Sequence, residues 1–158
     1  WGVANAAATL VGQNLGAGKP DRAEKAVWIT GVWNMAFMTV ITVLFVVFAE
    51  SIVGVFTKDP EILTVGTAAL RIISYGYVFY AWGMVVLQAF NGAGDTVTPT
   101  WVNFVAFWLI QIPLAWFLAL KTGLGHHGVY LAIAIAYSLS AVFGMILFRR
   151  GKWKEKKV

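Results

Sequence analysis

Residues 26–49, 62–94, 96–120 and 128–148 form four long apolar runs that hold a single charged residue between them, Arg71. Crossing the hydrocarbon core of a bilayer takes about 20 consecutive apolar residues in a helix, and each run reaches that length. Soluble core helices are also apolar, but four such runs in 158 residues go beyond what a single soluble core requires. Composition agrees: 59% of residues are hydrophobic and 12% charged, against roughly 45–50% and 25% for soluble domains. The pattern predicts an all-α, polytopic membrane bundle of four full transmembrane spans. A fifth, partial run over residues 1–16 reads as the end of another span. The chain begins mid-pattern at Trp1, without a basic segment ahead of an apolar stretch, and is expected to be a segment of a longer protein.

The prolines punctuate these runs. Asp59-Pro60 and Thr98-Pro99 each place a capping residue before a proline suited to the first helical turn. Pro20 stands at the front of another run. Pro113 lies inside the third span, where it removes a backbone hydrogen bond and should kink the helix.

Positive charge sets orientation. Lys19, Arg22 and Lys25 follow the partial run; Arg149, Arg150, Lys152, Lys154, Lys156 and Lys157 follow the last one. Four spans separate the two groups, so they share a side, and that side is expected to be cytoplasmic. The opposite loops carry only Lys58 and Lys121. The basic tail follows directly on a span, so topology and anionic lipid explain it; nucleic acid is not an expected partner.

Small residues recur at every fourth position in two places: Ala4, Ala8, Gly12, Gly16 and Ala132, Ala136, Ser140, Gly144. Such ridges let membrane helices approach closely. In the second full span, Ser74, Tyr77, Tyr80, Gln88 and Asn91 gather on one side at 100° per residue. Polar groups are costly in lipid, so this stripe should face the bundle or a wet cavity; a purely structural set of interhelical hydrogen bonds is the other reading. Tyr75, Phe79, Trp82, Val86 and Phe90 form the opposite face and should meet lipid or another helix. Asn103, Phe107, Gln111 and Leu114 form a weaker stripe in the third span, and Thr30 and Asn34 are the polar residues of the first. Arg71 is expected near the outer boundary, snorkelling towards water or Glu50, Asp59 or Glu61.

The stretch GQNLGAGKP at residues 12–20 invites comparison with a phosphate-binding loop. That loop needs G-x-x-x-x-G-K-[ST], and Gln13 and Pro20 stand where Gly and Ser or Thr belong. No Ser-His-acid or metal-ligand constellation appears elsewhere, there is no cysteine, and His126-His127 alone is a weak metal signal. No enzyme, cofactor or metal is expected. Instead the stretch has a counterpart, NGAGD at residues 91–95. In both, a helix ends in Gly-Ala-Gly and a polar residue and a proline follow, giving two corners marked by Gln13, Gly16, Gly18, Gly92, Gly94, Asp95 and Pro99. Gly18 can end its helix through a left-handed turn.

With GQNLGAGKPDRAEKAV at 12–27, LRIISYGYVF at 70–79, LQAFNGAGDTVTPT at 87–100, IQIPLAW at 110–116 and FRRGKWK at 148–154, the chain resembles the multidrug and toxic compound extrusion family. The resemblance implies a twelve-span transporter of two pseudo-symmetric six-helix lobes around a central cavity. It places the chain in the C-terminal lobe: 1–16 the end of span eight, 26–49 span nine, 62–94 span ten, 96–120 span eleven, 128–148 span twelve, and 149–158 a basic cytoplasmic tail. The missing N-terminal lobe would be its partner, in the plasma (inner) membrane. The implied activity is secondary antiport, exporting cationic amphiphilic organic compounds against protons or sodium ions by alternating access. Tyr77, Tyr80, Gln88 and Asn91 would then line the cavity and contact substrate. Sodium-coupled relatives can carry an acidic residue in the helix matching the second span; here that region offers tyrosines, and no ion ligand is assigned. A lipid-linked precursor or polysaccharide flippase of the same superfamily, and a stand-alone four-helix scaffold, are the competing readings.

Overall fold

The computed structural model describes residues 1–156; Lys157 and Val158 of the basic tail lie outside the described residues. Among the described residues, six helices follow in order: α1 (Gly2–Gly16), α2 (Pro20–Val47), α3 (Ala49–Phe56), α4 (Pro60–Gly92), α5 (Val97–Leu120) and α6 (His126–Arg149). A 3₁₀ turn (Lys152–Glu155) closes the tail. Helices α2, α4, α5 and α6 are long and apolar enough to cross a membrane. The helix that carries the first apolar run starts at Pro20, the proline at its front, and ends at Val47. Residues from Ala49 onward form the separate short helix α3.

Local chemistry explains the boundaries. Asp59 caps α4, its Oδ1 accepting from the N–H of Glu61 at 2.9 Å and of Ile62 at 3.2 Å, with Pro60 in the first turn. The Thr98-Pro99 start is different: α5 begins at Val97, and Asp95 supplies the cap. Its Oδ1 accepts from the Thr98 N–H at 3.2 Å and its Oδ2 from the Thr98 hydroxyl at 2.8 Å. A carboxylate accepts more strongly than a hydroxyl, and Asp95 sits three residues ahead of the N–H it captures.

Pro113 does not act through a simple break. The eight residues Phe104–Gln111 just ahead of it wind as a π-helix. Pro113 cannot donate to the ordinary i−4 carbonyl and its ring crowds that turn; widening the preceding turns absorbs both effects.

Helix α4 is the spine. At 33 residues and 1.5 Å per residue it is about 50 Å long, well beyond a hydrocarbon core of about 30 Å. Helix α6 lies along one side of it, with the backbones unusually close. A Cβ added at Gly76 would stand 3.0 Å from Ala134 Cα, and one at Gly83 2.9 Å from Ala141 Cα. Ala132, Ala136, Ser140 and Gly144, the ridge expected on α6, are all buried. Helix α2 lies on the other side, tied by two buried interhelical hydrogen bonds: Asn34 Nδ2 to the Ala81 carbonyl at 2.9 Å and Thr42 Oγ1 to the Ser74 carbonyl at 3.1 Å. Inside a bilayer such bonds hold helices together as well as filling space.

The ridge on α1 is only partly as expected. Ala4, Ala7 and Val11 make its buried line, while Gly16 is exposed, and a Cβ added there would meet nothing within 4 Å. The helix diverges from α4 after Gly12, so the fourth small residue reaches no partner.

The expected aromatic face of α4 is divided by depth. Tyr75 and Phe79 are exposed, whereas Val86 and Phe90 are buried and Trp82 packs on Trp28 of α2 with ring centroids 5.2 Å apart. The apolar core is concentrated at the end of the bundle near the basic tail. It joins Ala4, Val11, Val27, Val85, Phe90, Phe148 and Trp153.

Candidate functional site

Two places draw the marked residues together. The first is a hollow of about 130 Å³ among α1, α4 and α5, lined by Trp1, Tyr80, Met84, Leu87, Gln88, Asn91, Pro99 and Asn103. Tyr80, Gln88 and Asn91 of the polar stripe meet here. Gln88 Nε2 donates to Asn5 Oδ1 at 2.5 Å, and Asn91 Nδ2 donates to Gln88 Oε1. Three amides thus form a chain from α1 to the end of α4. Tyr77 does not line this hollow. It lies three residues from Tyr80, about 60° away around the helix, and meets Phe45 of α2 edge-on at 6.3 Å. Ser74 also turns inward, donating to the Leu70 carbonyl at 2.5 Å.

Sequence reasoning missed Tyr137. Its ring stacks on Tyr80 with centroids 4.3 Å apart and takes Phe107 edge-on at 6.0 Å. A cluster of three rings from α4, α5 and α6 therefore adjoins the amide chain. The available signal was a tyrosine in the middle of the last span, one residue after the buried Ala136.

The second place is the tail end of the bundle, where the two glycine corners meet. A Cβ on Gly92 would stand 2.2 Å from the Ala8 carbonyl oxygen, and one on Gly12 3.1 Å from the Gly92 oxygen. Helices α1 and α4 cross there backbone on backbone. Beyond the crossing, Gly18 (φ +68°) and Gly94 (φ +75°) adopt the left-handed conformation that suits glycine. The Gly18 N–H returns to the Leu15 carbonyl and the Asp95 N–H to the Phe90 carbonyl, each at 2.9 Å. Pro99 is buried at the start of α5, and Gln13 is exposed.

The basic tail is part of this knot. Trp153 is almost wholly buried, stacks on Phe148 at 4.7 Å, and donates its Nε1–H to the Phe148 carbonyl at 3.0 Å. Lys154 Nζ lies 2.5 Å from a Glu24 oxygen and 3.3 Å from an Asp21 oxygen. The hydrogen bond to Glu24 outweighs the cost of burial and, with Asp21, raises the Lys154 pKa above the ordinary lysine value. At the other corner, burial raises the Asp95 carboxyl. The hydrogen bonds from Thr98 and the nearby Lys156 outweigh that and hold it below the usual aspartate value. One tail therefore serves the acids of both corners.

The model of the MatE family matches residues 1–117, a stretch that contains both corners and α4. The chain belongs to the MatE family. It is 32% identical over 160 residues to the probable multidrug resistance protein NorM of Caulobacter vibrioides, covering 99% of this chain and 33% of the relative. It is 23% identical to the NorM-named protein of Thermotoga maritima, over 100% of this chain and 34% of that one. Among solved structures, it superposes at a TM-score of 0.89 and 22% identity on the inward-facing conformation of a multidrug resistance MATE family transporter of the MOP superfamily. That match covers 98% of this chain and 36% of the other. This MatE segment thus spans about a third of the length of the relatives it matches.

Proposed function

We propose that the chain is the C-terminal lobe of a twelve-span MatE antiporter, comprising the end of span eight and spans nine to twelve. It exports cationic amphiphilic organic compounds in exchange for protons or sodium ions. The observation that carries this reading is the stack of Tyr80 on Tyr137, with Phe107 edge-on, beside the amides of Gln88, Asn91 and Asn103. Aromatic faces attract a desolvated cation through their quadrupole. The amides accept hydrogen bonds from an ammonium without fixing its shape, which suits a broad substrate range. Tyr77 joins the site in this reading from the α2 side. The missing N-terminal lobe closes the cavity and supplies the coupling-ion ligands, and the tail side faces the cytoplasm of the plasma membrane. Support comes from the family match, the relatives' names and the excess of Lys and Arg on the tail side.

The test uses the full-length transporter carrying this lobe. Tyr80→Ala or Tyr137→Ala should weaken export of a fluorescent organic cation by roughly two- to thirtyfold, the range of a cation–π contact at an exposed to a desolvated site. Efflux at the parental rate, with normal expression, overturns the site assignment.

A further inference from the structure

At the end of the bundle opposite the basic tail, a hollow of about 350 Å³ opens between α3 and α4. It is lined by Glu50, Leu63, Thr64, Thr67, Ala68 and Arg71. Its size falls within the roughly 300–1,000 Å³ of ligand pockets. Helix α3 lies tightly against α4 here: a Cβ on Gly66 would stand 2.9 Å from Val53 Cγ1. Of the expected outlets for Arg71, water or Glu50, Asp59 or Glu61, it takes water: the residue is exposed, and among the described residues no carboxylate lies within ion-pair distance of it. Its Nε instead donates to the Val46 carbonyl at 3.2 Å, in the last turn of α2, where free carbonyls and the helix dipole attract a cation. That bond anchors the guanidinium by one nitrogen and leaves its terminal nitrogens available. Thr67 is nine-tenths buried, yet its Oγ1 has no hydrogen-bond partner, a costly state for a hydroxyl. An arginine fork, an unpaired hydroxyl and a carboxylate thus share one hollow with two apolar walls.

The depth of this hollow identifies its occupant. Arg71 lies 21 residues before Gly92, where α4 ends. At 1.5 Å per residue that is about 31 Å, one hydrocarbon thickness. The hollow therefore sits at the boundary between acyl chains and water on the far side. Helix α3 beside it exposes Val55 and Phe56, as a helix lying in the interface does. We propose that the hollow binds the headgroup of a zwitterionic phospholipid of the phosphatidylethanolamine type. The phosphate takes the terminal nitrogens of Arg71 and the Thr67 hydroxyl, the ammonium faces Glu50, Leu63 and Ala68 wall the hollow, and the glycerol end leaves past Arg71 towards the hydrocarbon. This inference stands apart from the transport reading, since it requires only that the helices span a bilayer.

Native mass spectrometry of the full-length transporter, titrated with dioleoylphosphatidylethanolamine or dioleoylphosphatidylglycerol, tests it. The unmodified protein should retain the ethanolamine lipid in preference. Arg71→Gln should lower retention of both lipids by about tenfold, the loss of a charge-assisted contact. Glu50→Gln should abolish the preference and leave phosphatidylglycerol binding in place. Thr67→Val, which changes no charge and almost no volume, should also weaken both, and it keeps the test open if Arg71→Gln does not fold. Equal retention of the two lipids by the unmodified protein overturns the proposal. So does displacement of the lipid by an equal concentration of soluble phosphoethanolamine, which would make the ligand a free phosphate ester.

Discussion

The crossing of α1 and α4 at Gly92 gives the most direct test of how the lobe is held. A methyl group at Gly92 would lie 2.2 Å from the Ala8 carbonyl oxygen and 2.8 Å from its carbonyl carbon and Cα, all backbone atoms. Ordinary contact begins at 3.4 Å, so the helices must separate by roughly 1.2 Å or distort, since interiors pack too densely to absorb such an overlap. Overpacking of this kind typically costs about 1–3 kcal/mol, and a side-chain rotation cannot relieve it here. The helix-forming gain of Ala over Gly, at most about 1 kcal/mol, offsets only part. The full-length transporter is about three times as long as this segment, so each kcal/mol moves its thermal midpoint by only ~1 °C, and Gly92→Ala should lower it by up to about 3 °C. The midpoint is read as loss of the monodisperse peak after heating in detergent. Gly16→Ala is the matched control, in the same kind of helix end but with nothing within 4 Å, and should hold or raise the midpoint. Ala8→Gly should not rescue Gly92→Ala, because the obstructing atoms belong to the Ala8 backbone. A Gly92→Ala protein as stable as the Gly16→Ala one, or rescue by Ala8→Gly, refutes the reasoning.

Two further outcomes follow from the caps and the tail. The folded-state pKa of Lys154 is raised, so its contribution is complete below the ordinary lysine value and is lost as pH rises through the higher folded one. That of Asp95 is lowered, so its contribution is complete above the ordinary aspartate value and is lost as pH falls through the folded one. A spin label on Glu155→Cys should therefore stay immobilised through the neutral range and gain a mobile component only below the aspartate range or above the lysine range; mobility appearing near pH 7 would refute this. Asp59→Ala removes the acceptor for two N–H groups at the start of α4 and should cost about 0.5–2 kcal/mol, seen as faster amide exchange at Glu61 and Ile62 while Gly92 is unaffected.

The spans were legible because lipid imposes a length and forbids unpaired backbone, and both leave a mark on composition. The ridge on α6 was legible for a related reason, since Ala132, Ala136, Ser140 and Gly144 fall on one face of an uninterrupted helix. The ridge on α1 was legible only as far as Gly12, because spacing along a helix says nothing of where its neighbour leaves. The polar stripe of α4 was found, but its members point to different places. Tyr77 goes to Phe45 and Tyr80 to Tyr137, and only the positions of α2 and α6 decide that. The cap of α5 was misplaced by one motif: Thr98 and Asp95 are both good capping residues, and the choice between them depends on how the corner after Gly94 turns. The tail was read from its charges alone. Its tryptophan, one aromatic among four lysines and two arginines, was the signal that it folds back.

The tail also orders events in time. Lys154 and its partner Asp21 stand 133 positions apart in the chain. A ribosome adding about 5–20 residues per second takes roughly 7 to 27 s to cover that interval. Until then Asp21 and Glu24 face water without their lysine, and the pocket for the Trp153 ring is unfilled. The first corner to emerge is thus the last to be finished, and any nascent chain halted before Lys154 leaves that corner open to whatever else in the cell carries a positive charge.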